Sequence, residues 1–348
     1  MQTGTTEPTA AWRSRLEAFR SLAERHQAVF WTLHSIWAMT WGVFIMAVGA
    51  KREGLLRWGL ASIGIVWATS LLLPAFLRTS WLPEDQKPIA RKLVLWFQKW
   101  QLQGLAFFIL PLYHRSATYP SRNVVFMALL ALAALAATID VLYDDVVTPR
   151  PWLLGVFLAF IAFASVNLML PMVWLVGGRT NLAVSAGLAT AVFVSFWARQ
   201  EAPMRPRRAW EVVSVALLFL LVVTVGRPFV PPAPLRLVSA RFGMALAEGG
   251  LDVASPLASL APAGQTRLQV VAAVQAPAGL AEGVRHLWTV DGTQVAESRL
   301  IDLTGGRVQG FRSQSSATFG RLTAGQRVRV EVETAWGQLI GRSEIAVR

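Results

Sequence analysis

The chain has 348 residues, of which 54% are hydrophobic and only 15% are charged, and it carries a formal net charge of +13. A water-soluble domain of this size usually carries about 25% charged residues, so the composition favours a membrane protein. The sequence has no cysteine, which excludes a disulfide framework, a thiolate nucleophile and a cysteine-ligated metal site.

Residues 1–28 are predicted to form an amphipathic segment on the cytoplasmic side. Trp12, Leu16, Phe19 and Ala23 recur at helical spacing, with arginines and glutamates between them. The segment lacks the apolar centre of a secretory signal peptide. A helix at the membrane surface and a helix packed on the loops of a bundle fit this pattern equally well.

Seven apolar segments follow and predict an α-helical membrane bundle of about seven transmembrane helices over residues 29–230. A hydrocarbon core of about 30 Å needs about 20 apolar residues at a rise of ~1.5 Å per residue. The segments cover residues 29–50, 55–77, 93–113, 124–143, 152–176, 182–198 and 210–230. Lysines and arginines are more frequent in the loops on the side of the N-terminus, which predicts a cytoplasmic N-terminus. An odd number of crossings then places the C-terminal region in the periplasm.

The prolines of residues 231–234 predict a short, stiff spacer after the last helix. From residue 235 to residue 348 the pattern alternates with period two, which predicts an all-β antiparallel sandwich domain. The candidate strands cover residues 236–242, 267–275, 284–290, 294–301, 308–314, 327–334 and 338–347. Asp291-Gly292 predicts a tight hairpin because both residue types tolerate positive φ, and residues 336–338 predict another turn.

The run RHLWTVDG at residues 285–292, with VRVEV at residues 328–332, resembles the C-terminal β-domain of domain-of-unknown-function family 2914. That resemblance implies a bacterial inner-membrane protein in which several helices precede the β-domain. It implies no activity, because the family itself has none assigned.

His286 and Trp288 are the candidate ligand-binding residues of the β-domain. They lie at positions i and i+2, so both project from one face of a strand. An imidazole beside an indole is suited to a sugar or a lipid headgroup. The alternative interpretation is a core tryptophan next to a hydrogen-bonded histidine.

Four polar residues, His34, Lys99, Asp140 and Asn167, fall inside apolar segments, where polar side chains are costly and are functional candidates by default. Lys99 and Asp140 fall toward the same end of the bundle, where they could pair as a proton relay or as a structural salt bridge. Asp140 and Asp144 lie one helical turn apart and could share a divalent cation, or form a solvated helix end. The sequence nominates no catalytic residue, no metal ligand and no cofactor.

These observations lead to the hypothesis of a non-enzymatic inner-membrane protein that displays a periplasmic β-sandwich and binds an envelope ligand or partner protein. The expected partners are the lipid bilayer and an envelope glycan, lipid or periplasmic protein. Nucleic acid is not expected, because region 235–348 is only mildly basic. The alternatives are a transporter or lipid-modifying membrane enzyme with its site in the helical bundle, and a scaffold subunit of a larger complex.

Overall fold

The computed structural model describes residues 27–49, 61–62, 64–65, 68, 83–197 and 206–348, which form a helical region followed by two β-sheets. The apolar segment predicted over residues 55–77 and the amphipathic segment over residues 1–28 fall almost entirely outside these ranges. The helices are α1 (Gln27–Gly49), α2 (Lys87–Ser116), α3 (Asn123–Thr138), α4 (Asp140–Leu142), α5 (Pro151–Trp174), α6 (Gly178–Trp197) and α7 (Pro206–Thr224). One turn of π-helix (Tyr143–Val147) follows α4, and one turn of 3₁₀-helix (Arg227–Phe229) follows α7.

Helix α5 forms the centre of the helical region. Its Ala159, Ala164, Leu168 and Met169 are fully buried and belong to one apolar core shared with α2, α3, α6 and α7. Small residues allow close packing around this core. At Gly42 on α1, for example, a Cβ atom would lie only 2.5 Å from the ring of Phe107 on α2.

The prediction of seven membrane-spanning helices is wrong for the part of the chain that can be tested. Among the described residues, α5 alone is long and apolar enough to cross a membrane. A second candidate arises only if α3 and the segment Asp140–Val147 are counted as one span despite a bend of 98° between them. In α5 itself, 72% of the most apolar window is buried inside the protein, which is the behaviour of a core helix.

The prediction failed because an apolar run records that residues avoid water, and does not record whether protein or lipid covers them. The membrane and periplasmic descriptions that rested on seven spans are corrected together with the fold class. Several large apolar side chains on α3 and α7, such as Leu132 and Leu217, are more than half exposed. An apolar sequence therefore does not by itself show which helices are buried inside the protein. An inner-membrane location is not tested by these findings and stays a prediction.

The C-terminal region forms a three-stranded sheet and a six-stranded sheet. The strands are β1 (Arg236–Gly243), β2 (Ser259–Leu260), β3 (Thr266–Gln275), β4 (Ala281–Val290), β5 (Thr293–Glu297), β6 (Ile301–Thr304), β7 (Phe311–Phe319), β8 (Arg327–Thr334) and β9 (Leu339–Val347). The small sheet has the order β1-β3-β7, and the large one has the order β2-β9-β8-β4-β5, with β6 also paired to β4. Strand β2 runs parallel to β9. The prediction of a purely antiparallel arrangement is therefore wrong for the large sheet.

Strand bounds agree with the sequence patterns where a clear alternation exists. The strand predicted over residues 327–334 has the same bounds in the structure, whereas the one predicted over residues 294–301 divides into β5 and β6. The Asp291-Gly292 hairpin is confirmed, since both residues adopt positive φ, at 50° and 87°. Both inner sheet faces share one apolar core, in which Trp288 packs edge-on against Phe242 and Phe319.

The outer face of the large sheet carries paired charges. Arg285 lies 2.8 Å from Glu297 and 3.2 Å from Glu333, and Arg329 lies 3.1 Å from Glu344. These pairs neutralise one another along neighbouring strands. This face therefore carries no basic patch, the surface feature that nucleic-acid binding would need.

Candidate functional site

The two sheets dock directly onto one end of the helical region, and the proline-rich segment lies in the junction between them. Pro231 and Pro232 are buried, Ala233 belongs to the helical core, and Leu235 belongs to the sheet core. The backbone N–H of Leu235 donates to the carbonyl of Pro232 at 2.8 Å. The segment therefore turns within the junction, whereas the sequence predicted a stiff spacer that separates the two regions.

The turn between β8 and β9 inserts Trp336 between two arginines of the helical region. The guanidinium carbons of Arg179 and Arg227 each lie 4.7 Å from the centroid of the indole ring. Trp336 also packs against the helical core. A cation over an indole face contributes about 0.5–2 kcal/mol, depending on how far it is desolvated, so Trp336 is a central contact of the junction.

Three consecutive residues after Trp336-Gly337 hydrogen-bond to the helical region. Gln338 Nε2 donates to the carbonyl of Val230 at 3.0 Å. Asn123 Nδ2 donates to the carbonyl of Leu339 at 3.4 Å, and Thr118 Oγ1 donates to that of Ile340 at 3.3 Å. The beginning of β9 is thus fixed to the segment between α2 and α3 through its own backbone.

Glu282 on β4 closes the junction on the other side. Its Oε2 accepts a hydrogen bond of 2.5 Å from the backbone N–H of Gly178, the first residue of α6. The partial positive charge of a helix N-terminus favours a carboxylate at this position. Burial raises the pKa of Glu282, and the hydrogen bonds from the N–H groups of Gly178 and Gly283 oppose that rise.

Beside Glu282 lies a groove of about 350 Å³ that both regions line. Residues 177–180 form the helical wall, and residues 281–283 and 302–304 form the wall from β4 and β6. Its volume falls at the lower end of the range of small-ligand pockets, about 300–1,000 Å³. Glu282 and Asp302 supply carboxylates, and Arg179 supplies a guanidinium that lies over Trp336.

His286 and Trp288 lie side by side, but both side chains are fully buried between the sheets. The indole N–H of Trp288 donates to Ser315 Oγ at 3.0 Å, and Ser315 Oγ lies 2.8 Å from Nδ1 of His286. On the other side of the ring, Nε2 lies 2.9 Å from Ser313 Oγ, which donates to the carbonyl of Ala272. The arrangement is that of a core histidine with both nitrogens hydrogen-bonded, and it favours the structural interpretation over ligand binding.

The direction of this hydrogen-bond chain follows from the groups at its ends. Ser313 uses its hydrogen on the carbonyl of Ala272, so Nε2 of His286 carries the hydrogen and Nδ1 accepts one from Ser315. The ring is neutral in this arrangement. Burial lowers the pKa of His286 to about 4, because the charged imidazolium has no water to solvate it.

Lys99 and Asp140 pair, as the sequence suggested, and Asp144 joins them. Lys99 Nζ donates to Asp140 Oδ1 at 2.5 Å and to Asp144 Oδ2 at 3.1 Å, and lies 5.0 Å from the ring centroid of Tyr143. The side chains of Lys99 and Asp140 are 8% and 7% exposed. The two aspartates therefore hold an ammonium group, and the interpretation of Asp140 as part of a solvated helix end is wrong.

Asn167 belongs to a separate polar network. Its Nδ2 donates to Tyr113 Oη at 2.9 Å, and it accepts from Asn181 Nδ2, also at 2.9 Å. Asn167 and Asn181 also line a cavity of about 20 Å³ that reaches Glu282 and Gln338, enough for a water molecule. Neither Lys99 nor Asp140 lines this cavity. His34 lies on α1, and its side chain is outside the described part of the structure.

Sequence reasoning missed the junction residues Glu282, Trp336 and Gln338. The only signal was the turn predicted at residues 336–338, and nothing indicated that it contacts helices. Within the ranges that the structure describes, no three His, Asp or Glu side chains lie close enough to hold a metal ion.

Comparison with known proteins identifies a family without a known activity. A family model described as "Family of unknown function (DUF5924)" matches residues 9–259, which is well over half of the chain. The resemblance to family 2914 is therefore corrected, since residues 285–292 and 328–332 form a strand, hairpin and strand that many antiparallel sheets share. No curated protein matches the chain.

One solved structure aligns with most of the chain, but with a low TM-score. A DNA-bound alkylpurine DNA glycosylase, AlkC from Pseudomonas fluorescens, is 12% identical, with 87% of this chain and 99% of that chain covered at a TM-score of 0.20. A TM-score of this size does not establish a shared fold. Neither the fold nor the partners of that enzyme are carried over to this chain.

Proposed function

Given that the chain belongs to DUF5924, a family of unknown function, we propose from its own geometry that it is a non-enzymatic binding protein. Its two-sheet region recognises a ligand or a partner protein, and the helical region responds to occupancy through the junction. The observation that carries the proposal is the groove that residues of both regions line together.

The position of the groove provides the coupling. A ligand there contacts the first turn of α6 on one side and strands β4 and β6 on the other. Glu282 already joins these two walls through its hydrogen bond to Gly178. Any group that competes for the Glu282 carboxylate changes how firmly β4 is attached to α6, because a ligand shifts an equilibrium by its differential contacts with the two states.

The lining indicates the chemistry of the ligand. The lining includes two carboxylate residues, Glu282 and Asp302, and one arginine, Arg179, whose guanidinium lies over Trp336. Thr180 and Thr304 add hydroxyl groups. This set suits an amine with neighbouring hydrogen-bonding groups, such as a lysine side chain of a partner or the amine of a lipid headgroup. An envelope source for this ligand stays a prediction.

The proposal is tested by thermal unfolding of the full-length protein with ethanolamine, spermidine and a lysine-containing tripeptide, each compared with its uncharged analogue. We expect an amine to raise the unfolding temperature and to slow amide exchange in the first turn of α6. Asp302→Asn should remove both effects, because it deletes a charge of the groove without touching the Glu282 contact.

The matched control is Glu344→Gln, which removes a carboxylate from the outer face of the same sheet, where Glu344 pairs with Arg327 and Arg329. This variant should respond to amines as the unmodified protein does. Equal responses of Asp302→Asn and Glu344→Gln, or no response to any amine, would refute the junction groove as the binding site.

The transporter or membrane-enzyme alternative is not favoured by a specific observation. It needs a polar site shared by His34, Lys99, Asp140 and Asn167. Lys99 and Asp140 instead neutralise each other at 2.5 Å, and Asn167 binds Tyr113 and Asn181. We therefore do not propose that alternative.

A further inference from the structure

A second groove lies on the outer face of the three-stranded sheet, away from the junction. Its floor consists of Val271 and Ala273 on the central strand β3. These side chains face away from the core that Val270, Ala272 and Val274 form between the sheets. Both floor residues are nevertheless buried, at 6% and 5% exposure, because a hairpin over residues 245–254 folds back across the sheet.

Two arginines attach this hairpin to the sheet. Arg241 Nη1 lies 2.8 Å from Asp252 Oδ2, and Arg312 Nη1 donates to the carbonyl of Leu251 at 2.7 Å. The hairpin itself is closed by hydrogen bonds between Ala245 and Ala254 and between Ala247 and Asp252. The groove is the space that remains between the hairpin and the strands, about 340 Å³.

The strand register places polar side chains around the apolar floor. In one row across the sheet, Val271 is flanked by Arg241 and Gln314. In the next row, Ala273 is flanked by Ser239 and Arg312. The arginines therefore stand at diagonal corners of a frame whose centre is apolar. Strand β3 lies between the two arginines, which are also offset by two residues along the sheet, so their Cα atoms are roughly 12 Å apart. Two long side chains that extend over the apolar floor can reach one ligand across this spacing.

The charges of the frame favour an anion with a single charge. Arg241 and Arg312 contribute two positive charges, and Asp252 contributes one negative charge. A guanidinium carries five N–H donors, and the attachment of the hairpin uses one nitrogen of each arginine. Guanidinium groups bind carboxylates with two parallel hydrogen bonds. The apolar floor requires that the rest of the ligand be aliphatic or aromatic.

We propose that this groove, which we call the arginine groove, binds a monocarboxylate with a short apolar body. The carboxylate lies between Arg241 and Arg312, and the apolar body covers Val271 and Ala273. The source is either a free carboxylic acid or the C-terminal carboxylate of a peptide, since the same chemistry recognises both. The proposal is independent of the junction groove, because the two grooves share no lining residue.

The test is titration calorimetry of the full-length protein with hexanoate, with hexanamide as the uncharged analogue. We expect hexanoate to bind in the millimolar range or tighter and hexanamide not to bind. Arg312→Gln should weaken hexanoate at least tenfold. Arg267→Gln, which changes an arginine of β3 outside the lining of the groove, should leave the affinity unchanged within twofold.

Because Arg312 also holds the hairpin, a second variant separates binding from folding. Ser239 is exposed and lines the groove, so Ser239→Phe fills the space without removing a charge or a hairpin contact. It should abolish hexanoate binding while amide exchange at Ala247 and Ala254 stays unchanged. Asp252→Asn should strengthen hexanoate severalfold, because it removes the negative charge of the frame.

A pair of tripeptides, one with a free and one with an amidated C-terminus, distinguishes the two sources. Binding of the free-acid tripeptide at least as tight as that of hexanoate identifies a peptide C-terminus, and weaker binding identifies a free acid. Absence of hexanoate binding, or hexanoate binding that Arg312→Gln and Ser239→Phe leave intact, overturns the arginine groove. Asp302→Asn should not alter hexanoate binding, so failure of one groove says nothing about the other.

Discussion

The carboxylate of Glu282 accepts a hydrogen bond of 2.5 Å from the backbone N–H of Gly178, although 104 positions separate the two residues in the sequence. The contact fixes strand β4 against the first turn of α6. Together with Trp336 between Arg179 and Arg227, it joins the helical region and the two sheets into one structural unit. The junction is therefore the place where the two halves of the chain affect each other.

Glu282→Ala should loosen this attachment locally. We expect the free energy of unfolding to fall by about 1–2 kcal/mol, because a charge-assisted hydrogen bond at a helix N-terminus is removed. Amide exchange should accelerate at Asn181, whose N–H donates to the carbonyl of Gly177 in the first turn of α6. In Glu297→Ala, which removes a surface partner of Arg285, exchange at Asn181 should be unaffected. Equal exchange in the two variants would contradict the assigned role.

Ser315→Ala should destabilise the two-sheet region by roughly 2–4 kcal/mol. It leaves both the indole N–H of Trp288 and Nδ1 of His286 without their partner in the core, and a buried unsatisfied group costs about 1–3 kcal/mol. The neighbouring Ser316→Ala removes only an exposed contact with Arg267 and should cost about 0.5 kcal/mol or less. Chemical unfolding of both variants measures their free energies of unfolding. Similar losses in the two variants would contradict the role of Ser315 in the buried hydrogen-bond chain.

The two-sheet region should lose stability in acid through His286. Its pKa is about 4 in the folded protein and about 6.5 in an unfolded chain. The folded pKa is the lower one, so the unfolded state binds a proton first as the pH falls. Stability is therefore complete above about pH 6.5 and is lost progressively toward pH 4, by about 3 kcal/mol. Amide exchange of β4 and β7 against pH measures this loss.

His286→Gln is the control for that titration. Without an imidazole, the loss between pH 6.5 and pH 4 should become much smaller, even though the variant is less stable at neutral pH. A pH dependence in His286→Gln as steep as in the unmodified protein would mean that another group controls the acid response. Glu333 would not be that group, because burial raises its pKa, so it binds a proton more readily in the folded state and favours the folded protein in acid.

Lys99→Met should destabilise the helical region by about 3–5 kcal/mol, because it removes the ammonium group that pairs with the buried carboxylate of Asp140. Replacing both residues in Lys99→Met/Asp140→Leu should recover much of that loss, since an apolar pair needs no solvation. Lys92→Met changes an exposed lysine of the same helix and should have little effect. Thermal unfolding measures the stability of each variant. An unfolding temperature of Lys99→Met equal to that of the unmodified protein would be incompatible with a buried ion pair.

Local structure followed from the sequence where one residue or a regular alternation decides it. The positive φ values of Asp291 and Gly292 follow from their chemistry, and β8 has the bounds that its alternation predicts. The pairing of Lys99 with Asp140 could also be anticipated, because two opposite charges inside apolar segments have few other partners. The family, in contrast, was wrongly predicted, because the resemblance relied on two short runs at residues 285–292 and 328–332, outside the residues 9–259 that the family model matches.

The sequence by itself determined the position of most helices, strands and turns in the described part of the chain, because propensity and alternation act over a few residues. Only the tertiary structure decided which apolar runs are covered by protein, since burial by protein and burial by lipid select the same side chains. It also decided that His286 lies in the core and that Glu282 meets Gly178. Those contacts depend on how two regions dock, and docking is fixed by the sum of many weak surface contacts that no local pattern records.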